Sequence, residues 1–487
     1  MSDPPNIVLI IADAMRKDVL RAYNGTAETP HIEEFVKDSS IYKNCIAPAP
    51  WTLPSHVSFF TGKYASQHGI HETYDKKLLE ILAEMRDFNS ETIAEHLKKM
   101  GYSTLGFSSN WMLSLHKGFD RGFDYFYTID EIGTTSEEKE LFKRASVYGR
   151  NPSQVFRYLL LHGKFKELIK LYSAFRRTRA IKRTLQFPFV KGGDRLVKTI
   201  TCGSFGKPFF LFANLIETHD PYTQYEQSPS NKVGFSSVQM ADLYGVKTIP
   251  ELAIQEIRSR YYSSSKYFDL FFGKIINHLK EKGLYDNSLI ILTADHGQAL
   301  KEKGFYGHGT FLHDEIVEVP LIIKYPGGAR HETGPQYQSL VDLPAIIKQV
   351  VNGGDTAELL NRQVVFSESF GANNKPPNST DNERINITKL NEVRRRVDVP
   401  RKAVYKDGYK LVVNWATGEV EEFTHNKKIL DIQTDAKKLN ELKEELSSFA
   451  SSVKLAEMKP ENRAVLETFS KEEEEMITDR LRTLGYA

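Results

Sequence analysis

Cysteine is almost missing from this chain: its 487 residues include only Cys45 and Cys202. Two thiols so far apart make no C-x-x-C, no Cys/His metal pattern and no disulfide framework, which fits a reduced, cytoplasmic protein. Long apolar runs are missing too. The run near the start, Ile7 to Ala12, ends at Asp13, short of the ~7–15 residues of a signal peptide core and the ~20 of a spanning helix. Charge of one sign is also lacking, since 65 Lys+Arg meet 63 Asp+Glu for a net +2. With 40% apolar residues, this balance excludes a wholly disordered chain and one dedicated throughout to nucleic acid. G-x-x-x-x-G-K-[ST], H-E-x-x-H, G-x-S-x-G, and G-x-G-x-x-G after the first strand do not occur. A phosphate-cradling P-loop, a zinc helix, a serine elbow and a dinucleotide fingerprint are therefore absent.

The neutral total conceals a division. Residues 141–200 hold fifteen Lys/Arg against Glu167 and Asp194, a local +13 that leaves the remaining chain at −11. Leu159–Leu161, Phe165, Leu168, Ile169 and Leu171, interleaved with Lys164, Lys166 and Lys170, read as a basic amphipathic helix, followed by Phe175–Arg179 and Lys182-Arg183. Three readings stand: a helical cap with solvated charges, recruitment of an anionic substrate, or contact with an anionic membrane surface. Nucleic acid is not expected, because no recognition module is present.

Elsewhere, strands alternate with helices. Asn6–Ala12, Pro208–Leu215, Ser288–Ala294 and Val319–Lys324 read as strands buried on both faces, with Ser103–Ser108 a fifth. Glu91–Met100, capped by Ser90, and Gln255–Lys282, ending at Gly283, read as helices. The pattern predicts an α/β fold with a mostly parallel, doubly wound sheet. After residue 370, Lys402–Tyr405, Tyr409–Trp415 and Glu421–Thr424 read as antiparallel strands with turns at Asp407-Gly408 and Thr417-Gly418. The charged end from Ala436 reads as helix, and Glu472–Glu475 as a solvated helix face. The expected organisation is a catalytic domain over 1–370, with a basic insert at 136–200, and a C-terminal subdomain over 371–487.

Polar residues at strand ends carry the chemistry. In an open α/β sheet the ligand crevice lies beyond the carboxyl ends of the strands, so Asp13 and Asp295-His296 converge and suit a divalent cation. A lone Asp there is also a common helix cap; two such strand ends, one with an adjoining His, favour the metal. Trp51-Thr52-Leu53-Pro54-Ser55-His56, with Gly62 behind, predicts a short helix starting near Thr52. Its hydroxyl would then lie in the positive field of a helix N-terminus, or serve only as the cap.

Together these pieces resemble the sulfatase family of the alkaline phosphatase superfamily. The matching stretches are N-I-V-L-I-I-A-D-A-M-R-K-D at 6–18, T-P-H-I at 29–32, W-T-L-P-S-H-V-S-F-F-T-G at 51–62, K-P-F-F-L-F at 207–212, E-T-H-D-P-Y at 217–222, L-T-A-D-H-G at 292–297, G-H-G at 307–309 and H-D-E-I-V-E-V-P-L-I at 313–322. L-R-T-L-G-Y-A at 481–487 is similar to the ending of many members. The resemblance implies a three-layer α/β/α domain with a mixed sheet and a small C-terminal subdomain carrying four antiparallel strands. It implies Asp13, Asp295, His296 and Thr52 as metal ligands, Thr52 as nucleophile, and His219 and His308 flanking the transferred group and leaving oxygen. Asn110 and His56 follow as substrate contacts, Arg16 as support, and His313 with Asp314 as a further match that a structural role explains equally well.

Three departures shape the function. Thr52 stands where typical members carry the Cys or Ser that becomes formylglycine, and His56 where they carry Arg. Ala14 replaces a further ligating Asp, and Leu215 breaks the Asp-x-x-x-His of two-zinc relatives. One divalent ion is expected, Mn²⁺ or Mg²⁺ ahead of Ca²⁺ or Zn²⁺. The implied activity is cleavage of phosphate mono- or diesters, the substrate being an anionic small molecule or a lipid or polymer ester. Sulfate-ester hydrolysis, phosphoglycerol-type transfer, and an inactive homologue that binds an anionic polymer or lipid are the alternatives.

Overall fold

The computed structural model describes residues 3–71, 89–113, 118–128, 152–165, 168, 191–220, 222, 250–331, 333–371, 392–393 and 396–452. Strands β1 (Asn6–Ala12), β2 (Ser40–Ile46), β3 (Ser103–Ser108), β4 (Tyr125–Thr128), β5 (Phe209–Leu215), β6 (Ser288–Thr293), β7 (Ala299–Leu300), β8 (Tyr306–Gly307), β9 (Glu318–Lys324) and β10 (Gln338–Ser339) belong to the catalytic part. Eight of them form one sheet in the order β10-β2-β9-β6-β1-β5-β3-β4, while β7 and β8 pair separately. Only β9 runs against the others in the large sheet. The central β1, β5 and β6 are buried along their whole length, which explains their near-continuous apolar sequences. The sheet is mixed and mostly parallel, within the expected α/β/α architecture.

The described helices are α1 (Pro30–Val36), α2 (Thr52–Thr61), α3 (Ala65–His68), α4 (Ile93–Lys99), α5 (Pro152–Leu161), α6 (Gly193–Cys202), α7 (Glu251–Glu281), α8 (Asp314–Val317), α9 (Leu343–Val351) and α10 (Ala436–Ser452). The T-P-H-I stretch has a local cause: the Asp269 carboxylate of α7 accepts the backbone N–H groups of His31 (3.2 Å) and Ile32 (2.7 Å), capping α1 from another element. Helix α4 is capped by Thr92 rather than Ser90. Thr92 Oγ1 accepts from Glu95 N–H at 3.1 Å while Glu95 Oε2 accepts from Thr92 N–H at 2.8 Å, a reciprocal capping box.

The smaller sheet has five antiparallel strands, not four: β11 (Val364–Ser369), β12 (Arg401–Lys406), β13 (Tyr409–Asn414), β14 (Val420–His425) and β15 (Lys428–Ile429). It begins at Val364, ahead of residue 370, because β11 pairs with β12 along its full length. The Asp407-Gly408 turn carries positive φ at both residues, 53° and 80°, the twist that suits a two-residue hairpin. Leu439, Leu442 and Leu446 of α10 pack on Val404, Leu411 and Phe423 of this sheet.

Within the basic segment, α5 is described, with Leu159 buried and Leu160 and Leu161 exposed. Phe175–Arg179 and Lys182-Arg183 lie outside the described residues, as does Glu472–Glu475. Among the described residues no helix is long and apolar enough to cross a membrane.

Candidate active site

Parallel β1, β3, β5 and β6 end on one edge of the sheet, and four polar groups meet there. Asp13 follows β1, Asn110 lies two residues past β3, Asn214 is the penultimate residue of β5, and Asp295-His296 follow β6. Ala14 turns the chain sharply, with φ of 60°, a left-handed conformation that costs a non-glycine residue roughly 1 kcal/mol or more. The turn lets Ala14 N–H donate to Asp295 Oδ1 (3.1 Å), joined there by His296 N–H (2.9 Å). Strain and bonding together aim the other oxygen of Asp295 into the site.

Asp13 Oδ2 accepts from Asn110 Nδ2 (2.7 Å) and Asn214 Nδ2 (3.3 Å). Its Oδ1 and Asp295 Oδ2 are buried without a hydrogen-bond partner. His296 Nδ1–H donates to Gly297 O at 2.8 Å, which leaves the lone pair on Nε2. That atom lies 4.0 Å from Asp13 Oδ1, 3.5 Å from Asp295 Oδ2 and 3.3 Å from Thr52 Oγ1. Orphaned, buried carboxylate oxygens are costly unless a cation satisfies them. The ligand atoms of Asp13, Asp295 and His296 lie within 4.8 Å of one another. Three residues with oxygen predominating, plus the Thr52 hydroxyl, fit a divalent ion.

Thr52 opens α2, with Trp51 as the cap residue, so the free N–H groups of the first turn surround its hydroxyl. Ser55 Oγ donates to Asp295 O at 2.7 Å, tying this turn to the end of β6. His56 is fully buried against Phe59, Phe119 and Phe212. Its Nδ1–H donates to Thr52 O (2.9 Å), its Nε2 accepts from Asn214 Nδ2 (3.3 Å), and Nδ1 stands 3.5 Å from Asp295 Oδ2. It therefore braces Thr52 and Asp295 from behind. Asn110 is also occupied, since its Oδ1 accepts from Met112 N–H at 2.9 Å while its amide holds Asp13.

The electrostatics follow from burial. Burial raises the Asp13 carboxyl, but His219, His296, the Asn110 hydrogen bond and His56 outweigh it and leave it lowered. Asp295 is raised well above the carboxylate range, by burial first and then by the charge of Asp13. Burial holds His296 and His56 down at about 4 despite the pull of Asp13, and holds His308 well below its ordinary value. Neutral imidazole is the ligand form.

His219 and His308 lie beside this group: the rings of His296 and His308 are 4.4 Å apart and those of His308 and His219 5.0 Å. Several groups here were not apparent as site residues from sequence. Lys191, buried, donates through Nζ to the carbonyls of Glu217 (3.2 Å) and His219. Burial lowers its amine to about 8 against the pull of Glu217, Asp220 and Asp13, and raises Glu217 to about 7 against the pull of Lys191. Thr218 Oγ1 donates to Asp13 O at 2.6 Å. The signals were present: Asn214 interrupts the apolar Phe209–Leu215 strand, and Glu217 sits inside E-T-H-D-P-Y. Lys191 had no signal beyond being one of many lysines.

His313 does not join the site. Stacked on Phe311, it lines a cleft of about 590 Å³ between the catalytic part and the small sheet. Asp314 pairs there with Lys410 at 2.7 Å. Arg16 spans the two places: its guanidinium bonds Gln298 O (3.2 Å), Glu302 (2.8 Å) and Asp18 (2.6 Å).

A family model described as Sulfatase matches residues 5–352. The chain belongs to the sulfatase family. Its curated relatives include the endo-4-O-sulfatase of Bacteroides thetaiotaomicron, 22% identical over 73% of this chain and 71% of that protein. The steryl-sulfatase of Rattus norvegicus is 25% identical over 75% and 71%. Among solved structures, the phosphonate monoester hydrolase of Silicibacter pomeroyi is similar in fold with a TM-score of 0.61, at 18% identity over 93% of this chain and 96% of that one. This sulfatase-family chain is thus an ester hydrolase. Members of the family bind a divalent metal ion, and the Asp13/Asp295/His296 group fits one.

Proposed function

We propose that this sulfatase-family hydrolase cleaves phosphate mono- or diesters, with Thr52 as nucleophile and Mn²⁺ or Mg²⁺ held by Asp13, Asp295, His296 and Thr52. The observation that carries the reading is the buried Thr52 hydroxyl, 3.3 Å from His296 Nε2 and at the opening of α2. When bound, the ion polarises a phosphoryl oxygen and lowers the pKa of the Thr52 hydroxyl. Asn110 and Asn214 fix Asp13, and His56 and Ser55 fix the turn that carries Thr52. The first-turn N–H groups of α2 take up charge on the equatorial oxygens. His219 and His308 are the groups assigned to neutralise the departing alkoxide.

Release distinguishes phosphate from sulfate chemistry. Formylglycine offers a second hydroxyl that expels the bound group by elimination, whereas threonine has none. Water, or an acceptor alcohol in a transfer reaction, must therefore attack the bound phosphoryl group. We assign the basic segment 141–200 to attraction of the anionic ester, whether small molecule, polymer or lipid head group.

The test is a panel of aryl phosphate, aryl phosphodiester and aryl sulfate, each with Mn²⁺ or chelator, together with acid-quenched turnover. The expected result is metal-dependent phosphoester cleavage, phosphoryl group on the peptide containing Thr52, and no turnover by Thr52→Ala. Turnover of the sulfate alone, or full activity in Thr52→Ala, contradicts the proposal.

A further inference from the structure

We infer that the C-terminal end of α5 is a docking surface for an anionic lipid bilayer. The inference rests on the assignment of the basic segment to an anionic counterpart, which it narrows to one source, and is independent of Thr52 and its ion.

Single exposed apolar side chains are ordinary on a protein surface, whereas a cluster of them marks a contact. Among the described residues ten large apolar side chains are exposed, and three of them, Leu160 (55%), Leu161 (70%) and Phe165 (57%), fall within six consecutive positions. Val155 and Leu159 of the same helix are buried, so α5 is covered along one side while its end meets water.

That end is firmly closed. Gly163, with φ of 66°, turns the chain out of the helix. Its N–H donates to Leu160 O (3.3 Å) and the Lys164 N–H to Leu159 O (2.9 Å), the common helix terminus built on a left-handed glycine. Such a terminus frequently packs an apolar side chain, from the residue after the glycine, against the last turn. Here that residue is Lys164, and Phe165, next along, stays exposed.

Charge decides what covers this end. From Lys143 to Lys166 the sequence contains no Asp or Glu, and residues 141–200 sum to +13 against −11 for the remaining chain. A second copy of this chain would set like charge against like across a two-fold contact. A soluble polyanion matches the charge but offers three apolar side chains nothing to enter. An anionic bilayer supplies both, a negative surface for the lysines and arginines and an acyl boundary for Leu160, Leu161 and Phe165. With ten residues, α5 falls short of the ~20 needed to span a bilayer, and the contact lies in the interface.

The test is flotation of the full chain with phosphatidylcholine vesicles, with and without one third phosphatidylglycerol, at low and raised salt. The variants are Leu160→Ser/Leu161→Ser/Phe165→Ser and two controls, Leu252→Ser, at an exposed apolar position of α7, and Thr52→Ala, all checked for an unchanged circular dichroism spectrum. The wild type should bind the anionic vesicles roughly tenfold or more tightly than the neutral ones, and salt should release it. The triple variant should bind them roughly tenfold or more weakly than the wild type, while both controls bind as the wild type does. The readout is binding, so its failure leaves the reading of Thr52 standing, and failure of that reading leaves the docking surface standing. No binding to either vesicle, equal binding to both, or binding kept in full by the triple variant overturns the surface. A wild-type dimer in sedimentation velocity that the triple variant dissolves also overturns it, and gives this end to a second copy.

Discussion

The junction with the small sheet and the carboxyl edge of the large sheet both bury charge, and they treat it differently. At the junction with the small sheet Lys402, Arg401 and Lys410 each have a carboxylate partner. Lys402 pairs with Glu368, whose Oε2 also accepts from Ser66 N–H (3.0 Å) and Oγ–H (2.7 Å). Arg401 pairs with Glu421 at 2.6 Å and donates to the carbonyls of Val397 and Val399, and Lys410 bridges Asp314 and Glu422. At the carboxyl edge of the large sheet, Asp13 Oδ1 and Asp295 Oδ2 are buried with no hydrogen-bond partner. Burial alone therefore does not mark a functional site. What distinguishes the edge is its composition: two carboxylates with unpaired oxygens face a neutral imidazole, a set whose natural complement is a cation, whereas at the junction lysines and arginine lie against carboxylates.

Four expected outcomes would break or sharpen that contrast. The largest is in activity. Asp295→Asn removes a ligand from the proposed metal site, so with metal present phosphoester turnover should fall on the order of a thousandfold or more, as expected when several kcal/mol of charge stabilisation is lost. Retention of wild-type turnover would show that the unpaired carboxylate is not used. Next comes the junction: Glu368→Ala strands the Lys402 amine and should lower stability by about 3–5 kcal/mol in urea unfolding. The double variant Glu368→Leu/Lys402→Met should recover much of that loss, and a double variant as unstable as the single would contradict a closed pair.

The third outcome reverses the sign at the edge. In metal-free protein the folded Asp295 carboxyl has a raised pKa, so the native state binds the proton more tightly than the unfolded chain. Stability from this group is full below the ordinary carboxylate value and falls as pH rises above about 4. Asp295→Asn should then stabilise the chelated protein by roughly 1–3 kcal/mol near neutral pH, the cost of an uncompensated buried group. Parallel pH–stability curves for the two proteins check this, and coinciding curves would refute it. The smallest effect is a control outside both regions: Thr92→Ala should cost about 1 kcal/mol through the α4 cap and leave metal binding unchanged.

Much of the edge was legible because strand ends impose it. Asp13 and Asp295-His296 follow runs too apolar to be anything but buried strands, and Thr52 precedes Pro54 with Gly62 behind, the punctuation of a short helix. What escaped notice had weaker causes. Ser-Ile-Tyr-Lys-Asn-Cys-Ile at 40–46 alternates imperfectly and is only partly buried, so β2 gives little periodic signal. Strand β11 precedes a Pro- and Asn-rich stretch and pairs only with a strand more than thirty residues later. Ser90 resembles a cap as well as Thr92 does until the Thr92–Glu95 spacing is weighed. Lys191 is a site residue solely through tertiary contact, and no local pattern separates it from its neighbours in the basic segment.

The central claim is that the unpaired carboxylates at the sheet edge await a cation. Its most direct measurement is the thermal midpoint of chelator-treated protein titrated with Mn²⁺, since an ion that binds only the native state raises stability by RT ln(1 + [L]/Kd). The expected midpoint climbs with Mn²⁺ in the wild type and stays flat in Asp295→Asn. A flat wild-type response, or an equal rise in Asp295→Asn, would contradict it.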